Sequence, residues 1–216
     1  MSTIGRLVSV NVGQPRTVEW AGRRVRTAIW KAPKDGPVTV RGDNLAGDDQ
    51  ADRRVHGGTH KAIYAYAEED YRWWETGLHT VLGPGIFGEN LTTGGIELAS
   101  AVIGERWSVG SAVLEVSEPR LPCFKLGIRM SDPGFVERFE EAARYGTYLR
   151  VVTEGEVAAG DPIVRVTQPG HGLGVGDLVA AHLQPTPELL ARVATTTDVS
   201  PGWRHQAERA LARALG

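Results

Sequence analysis

The chain has 216 residues and a formal net charge of −2, with 24 Lys and Arg against 26 Asp and Glu. That balance gives no global attraction to nucleic acid or an anionic membrane, and 23% charged residues is too ordinary for a disordered chain. The single cysteine, Cys123, excludes an intrachain disulfide framework, while 27 glycines, against roughly 15 at a usage of about 7%, suit many tight turns between short strands.

Residues 3–12 (TIGRLVSVNV) read as a strand closed by Gly13, and Val25 to Trp30 as another after an Ala21-Gly22 turn. Residues 33–37 form a loop and 38–40 a short strand. The stretch 41–58 is polar and Gly-punctuated, the kind of long loop that often carries function. The run 62–66 (AIYAY) is apolar and β-prone. Glu68, Glu69 and Asp70 then suit the positive end of a helix whose Tyr71, Trp74 and Leu78 make one apolar face. Gly83-Pro84-Gly85 ends that region, and two strands over 105–117 flank a Gly110-Ser111 turn. Asp132 and Pro133 read as the N-cap and first residue of a helix with Phe135, Phe139 and Ala142 on one side. Residues 148–153 and 163–168 are the last strands.

Composition shifts after Pro169-Gly170. Three helices are expected there, about 173–183, 187–195 and 201–215, the latter two opened by Thr186-Pro187 and Ser200-Pro201. The pattern predicts a mixed α/β, mainly β domain over 1–169 and a small helical subdomain over 170–216. The N-terminus lacks a signal-peptide pattern, and no run approaches the roughly 18 apolar residues that span a bilayer, so a soluble, cytoplasmic protein with no membrane partner is expected.

Three segments concentrate chemistry. Cys123 follows a strand across Pro119 and Pro122 and precedes a helical turn, 124–130. Arg120, Lys125 and the helix dipole all favour its thiolate, the form that acts as nucleophile or metal ligand. The bland alternative is a small buried hydrophobe. In the second segment, 47–61, Gly57 and Gly58 let backbone N–H groups approach an anion and Lys61 adds charge. His56 and His60 share an i, i+4 spacing, but the glycines between them argue against a helical metal pair. Among the acidic residues of this segment, Asp48 and Asp52 stand apart; loop capping suffices for the others. The third segment, Gly85 to Thr92, places Phe87 between glycines and then Glu89 and Asn90, which reads as a pocket wall or as a turn.

Taken together, GDDQADRRVHGGTHKAIYAY, FGENLTTGG and SEPRLPCFKL resemble the motifs of the MOSC domain family, named from the C-terminal part of molybdenum cofactor sulfurases. Within it they resemble the small stand-alone bacterial YiiM-type group, whose early strand motif is similar to residues 27–31 and whose three-helix (3-alpha) domain is similar to residues 171–216. The resemblance covers about residues 3–168 in order, with a core at about 26–168. It implies a β-barrel-like fold with peripheral helices and a molybdenum–pyranopterin cofactor whose metal is bound by Cys123. Lys31, His56, Gly57, Gly58, Lys61, Asn90, Arg120 and Lys125 would hold the pterin and its phosphate. The implied activity is reduction of N-hydroxylated compounds, including hydroxylaminopurine-type bases, a detoxification. One cysteine cannot hold an iron–sulfur cluster and no flavin motif is present, so an external electron-donating reductase is expected.

Two other readings remain open. One is a non-catalytic cofactor carrier or sulfur-transfer module using Cys123. Pyridoxal phosphate binding is attached to MOSC domains at family level, but a complete sulfurase needs a lysine-bearing domain for which this chain has no room. The other is a cysteine hydrolase with His56 as base, which nothing local to Cys123 supports. The tail could mimic a helix-turn-helix, but it carries four arginines against four acidic residues, without the basic footprint of a DNA reader. A packing or homodimer-contact role is expected instead, walling one side of the pocket, with no nucleic-acid partner.

Overall fold

A computed structural model describes residues 2–51 and 57–215. β1 (Ser2–Val12) is the longest strand and pairs on both sides, with β8 (Leu91–Gly94) and with β13 (Pro162–Thr167). The remaining staves are β7 (Ile63–Ala67), β9 (Arg106–Val109), β10 (Ala112–Pro119) and β11 (Thr147–Thr153). The order β13-β9-β10-β11-β7-β8-β1 closes through the β1–β13 pairing, so these seven strands form a barrel without a free edge. Only the β7–β8 pair is parallel among them. β1 changes register between Thr3 and Gly5, where a Cβ on Gly5 would lie 2.4 Å from Ile96 Cγ1; the bulge and the missing side chain let the strand bend around the closure.

Smaller pieces sit outside the barrel. β2 (Arg16–Trp20) and β3 (Arg23–Thr27) form a hairpin through Ala21-Gly22, and β4 (Ala32–Pro33) pairs antiparallel with the end of β1 at Asn11 and Val12. β5 (Val38–Arg41), β6 (Asn44–Leu45) and β12 (Gly155–Val157) make a three-stranded sheet. The expected strand over Val25 to Trp30 stops at Thr27. There the Thr27 hydroxyl accepts the Ile29 N–H at 3.1 Å, and Ile29 turns its side chain into the core.

β7 reads as a continuous apolar run because both of its faces are covered. Ile63, Ala65 and Ala67 face the barrel interior with Leu7, Leu91, Trp107 and Leu149. Tyr64 and Tyr66 face outward into an aromatic layer with Trp74, Phe87, Phe135 and Phe139. That layer is built by α1 (Glu68–Leu78), α2 (Phe124–Met130) and α3 (Phe135–Ala142). Trp74 stacks on Phe139 with ring centroids 5.7 Å apart, and Tyr66 meets Phe87 at 4.6 Å. α3 begins two residues later than the Asp132-Pro133 signal suggested. Asp132 Oδ1 accepts the Gly134 N–H at 2.9 Å, so the aspartate organises a turn before the helix instead of capping it.

The tail contains α4 (Val175–Leu183), α5 (Pro187–Thr195) and α6 (Pro201–Leu215). Thr186 caps α5, its hydroxyl accepting the Leu189 N–H at 3.3 Å. The apolar cluster of the barrel runs on without a break into Leu178, Leu190, Val193, Trp203 and Ala207. The backbone crosses too: Ile103 N–H donates to Leu173 O at 2.9 Å and Val175 N–H to Ala101 O at 2.9 Å. Among the described residues no helix is long and apolar enough to cross a membrane.

Candidate functional site

One cleft gathers residues from every segment singled out in the sequence. Thr27, Ala28, Ile29 and Lys31 supply one wall, Asp49 to Ala51 and Lys61 a second, Gly88 and Asn90 a third, and Arg120, Cys123 and Lys125 a fourth. Tyr64 from β7 and Tyr148 from β11 complete it. The barrel explains the convergence: β7, β10 and β11 are neighbours, and the parallel β7–β8 crossover delivers the Gly85 to Asn90 loop to the same end.

Two of that loop's glycines are demanded by close approach. Gly85 has φ +86 and a Cβ there would lie 2.6 Å from Lys31 O; Gly88 has φ +80 and its Cβ would lie 2.8 Å from Ile29 Cγ1. The loop is tied from within by Glu89, which is wholly buried. Its Oε1 accepts the Gly85 N–H at 2.7 Å, the Thr92 hydroxyl at 2.9 Å and the Tyr71 hydroxyl. Glu89 Oε2 is buried and meets no hydrogen-bond partner among the described residues, and burial pushes the Glu89 carboxyl above its usual range.

Lys31 and Asn90 reach the cleft, yet both are engaged by Asp48. Lys31 Nζ lies 2.5 Å from Asp48 Oδ1, which also accepts the Gly13 N–H at 2.8 Å. Asn90 Nδ2 donates to Asp48 Oδ2 at 2.9 Å, and Asn90 Oδ1 accepts the Tyr64 N–H at 3.1 Å. These residues bracket β7, the loop and the segment after β3 into one frame. Arg120, Lys61 and Lys125 line the same cleft, Lys61 with Glu118 Oε1 at 3.7 Å from its Nζ.

Cys123 is the N-cap residue of α2, in extended conformation (φ −137°, ψ 166°), with its carbonyl accepting the Leu126 N–H at 2.8 Å. It is partly buried. Arg120 is only 6% exposed, lies over the Tyr64 ring at 5.2 Å and is hydrogen-bonded to Tyr148. Its Nη1 is buried and meets no acceptor among the described residues. A guanidinium N–H held in that state is costly unless an acceptor arrives from outside the chain. Gly57 and Gly58 do not line the cleft; Gly58 is exposed with φ +92. His56 and Asp52 lie outside the described residues.

The sequence reading missed Tyr64, Tyr148 and Glu118. Tyr148 had one available signal, its place on a strand beside the Cys123 segment. Glu118 Oε1 stands 3.7 Å from Lys61 Nζ, and Glu118 Oε2 accepts the Ser200 hydroxyl at 2.5 Å. His60 Nδ1 lies 3.0 Å from Ser117 Oγ.

The donor chemistry fits an anionic cofactor that brings its own metal ligands. Among the described residues no group of three His, Cys, Asp or Glu side chains could hold a bare metal ion. What the cleft offers is one thiol, a buried guanidinium whose Nη1 meets no acceptor among the described residues, and three lysines, Lys31, Lys61 and Lys125. That set suits a phosphate and a soft metal already held by sulfur.

The MOSC domain family model matches residues 52–164. YflK of Bacillus subtilis is 32% identical over 200 residues, covering 92% of this chain and 90% of that protein. A protein named "Reductase" from Gibberella moniliformis is 35% identical over 172 residues, 76% of this chain but only 30% of that protein's length. The crystal structure of YiiM from Geobacillus stearothermophilus superimposes with a TM-score of 0.80 at 29% identity, covering 96% of this chain and 99% of that one.

Proposed function

The chain belongs to the MOSC domain family, and from that premise we propose that it is a molybdenum-cofactor-dependent oxidoreductase. In this reading it reduces N-hydroxylated compounds of the hydroxylaminopurine type to amines, with the Cys123 thiolate as the metal's protein ligand. The observation that carries the reading is the buried, unsatisfied Nη1 of Arg120 in the same cleft as the chain's one thiol. When bound, the cofactor supplies two-electron chemistry at a metal; converting R–NHOH to R–NH2 consumes two electrons and two protons and releases water.

The chain's own residues do the rest. Arg120 would offer its open N–H to a phosphate oxygen, with Lys125 adding positive charge and Lys61 sharing its own with Glu118, 3.7 Å away. The Asp48 bracket through Lys31 and Asn90 keeps the opposing wall from moving when charge enters. Thr27, Ala28 and Ile29 give a wall with little competing polarity, which excludes water from the reacting side. The electrons come from a separate reductase.

The test is expression in a cofactor-competent host, then molybdenum per chain and turnover of 6-hydroxylaminopurine with a chemical reductant. Near one molybdenum per chain with turnover is expected. Molybdenum without turnover supports a carrier role, and no molybdenum removes the reading.

A further inference from the structure

The hairpin of β2 and β3 is a separate two-stranded sheet outside the barrel, and its charge is opposite in sign to that of the chain. Residues 16–26 carry four arginines and one glutamate, whereas the whole chain has a net charge of −2. Arg16, Arg23, Arg24 and Arg26 are all exposed. We propose that this basic hairpin, with Arg129 at its base, is the docking surface for the electron donor, and that the donor is a carrier protein with an acidic face. This rests on the proposed oxidoreductase function and names the partner of that site.

The strand register sorts the charges. Thr17 stands opposite Arg26 and Glu19 opposite Arg24, so one face of the ribbon holds two arginines and a single carboxylate. Glu19 lies 3.8 Å from Arg24 with both side chains mostly exposed, a pair too well solvated to cancel the arginine's field. The other face pairs Val18 with Val25 and ends in Trp20 opposite Arg23. Tryptophan and arginine side by side are the residue types that carry binding energy at protein interfaces. Facing charges of opposite sign would steer an acidic carrier onto the ribbon and fix its orientation.

The base of the hairpin meets the wall of the cleft. Arg16 lies over the Trp30 ring at 3.7 Å, and Arg129 lies 5.9 Å from the same ring. Two cations held against one indole repel each other; burial first, and then the Arg16 charge, pull the Arg129 guanidinium below its usual pKa. A carboxylate arriving from a partner relieves that repulsion. Trp30 sits between Ile29 and Lys31, which both line the cleft, and Arg129 follows the cleft residue Lys125 by one turn on the same face of α2. Along that helix Arg129 is roughly 9 Å from Cys123. A carrier seated on the hairpin therefore delivers electrons beside the cleft without entering it. Each R–NHOH reduced oxidises the carrier by two electrons, while two protons come from solvent and water leaves.

The test joins a binding measurement to a turnover measurement. The probe is flavodoxin, a small acidic flavin carrier, titrated calorimetrically into wild type, Arg24→Gln with Arg26→Gln, and Arg24→Glu with Arg26→Glu. Wild type is expected to bind it, with affinity falling in that order and by at least about tenfold in the glutamate variant. Wild-type affinity should also weaken between about 0.01 M and about 0.15 M salt, as the Debye length shrinks from roughly 30 Å to roughly 8 Å. On cofactor-loaded protein, kcat/KM for reduced flavodoxin should fall in the same order. Turnover with reduced methyl viologen, which needs no docking face, should stay at the wild-type level, as should melting temperature and molybdenum per chain. The glutamine variant carries the comparison if the glutamate variant does not fold. No binding to wild type, equal affinity in all three proteins, or equal turnover of flavodoxin overturns the inference and leaves the proposed function standing. Tighter binding of a phosphatidylserine–phosphatidylcholine vesicle or a single-stranded oligonucleotide than of flavodoxin, lost in the same variants, also overturns it. Arginine-dependent flavodoxin binding by a chain that holds no molybdenum supports the docking surface and removes the oxidoreductase reading instead.

Discussion

Lys31 Nζ stands 2.5 Å from Asp48 Oδ1 and 2.6 Å from Oδ2, with side-chain exposures of 8% and 1%. Burial pulls the Lys31 ammonium below its usual pKa, and the Asp48 carboxylate opposes that pull. Such a pair is damaged most by removing one member, because the other is left as an uncompensated buried charge. Asp48→Ala is expected to cost about 3–5 kcal/mol. At roughly 2–4 °C per kcal/mol for a chain of this size, that lowers the melting temperature by about 6–20 °C. The double variant Lys31→Met with Asp48→Asn should cost less than Asp48→Ala alone. Thermal melts of the three proteins check the order.

Cys123→Ser exchanges a soft, ionisable sulfur for a much less acidic hydroxyl of similar volume. The melting temperature should stay within about 2 °C of wild type, since Cys123 is only partly buried. Turnover of N-hydroxylated substrate should vanish, and molybdenum per chain should fall less than turnover, because the phosphate contacts survive. Wild-type turnover in the serine variant would remove Cys123 from the chemistry.

Arg120→Met deletes the open N–H donor. An anion that binds only the folded chain raises stability by RT ln(1 + [L]/Kd). Millimolar pyrophosphate is therefore expected to raise the wild-type melting temperature by a few degrees and to leave Arg120→Met unmoved. Equal shifts in the two proteins would mean that Arg120 does not meet the anion.

Glu89 yields a prediction about pH. Its folded-state pKa is raised by burial above the unfolded value of 4.5. The folded state thus holds the proton more tightly, and the group's contribution to stability is fully present below pH 4.5 and lost as pH rises through the folded value. Glu89→Gln cannot titrate, so the stability difference between wild type and variant should move against wild type between pH 4 and pH 8. Urea midpoints across that range measure it; a difference independent of pH would count against a neutral buried carboxyl.

Much of the barrel was legible as local pattern. The apolar runs at 3–12 and 62–66 and the turns at Ala21-Gly22 and Gly110-Ser111 mark strands, and Thr186-Pro187 marks the start of α5 with a side-chain cap that the structure contains. β8 was not legible, because Leu91 to Gly94 is buried throughout and shows no alternation. The β1–β13 closure joins strands some 160 positions apart and leaves no local trace. At the site, Arg120, Cys123 and Lys125 announce themselves by residue type and spacing. The Ser200 to Glu118 contact does not, because it depends on where α6 lands on the barrel.

Because the chain has one thiol and that thiol lines the cleft, every sulfhydryl-directed reagent becomes a reporter of the site. A maleimide dye can label no more than one position, so labelling stoichiometry counts accessible sites in a preparation. Protection from labelling reports an occupant without any turnover assay. An anion that shields Cys123 only while Arg120 is present enters from the cleft.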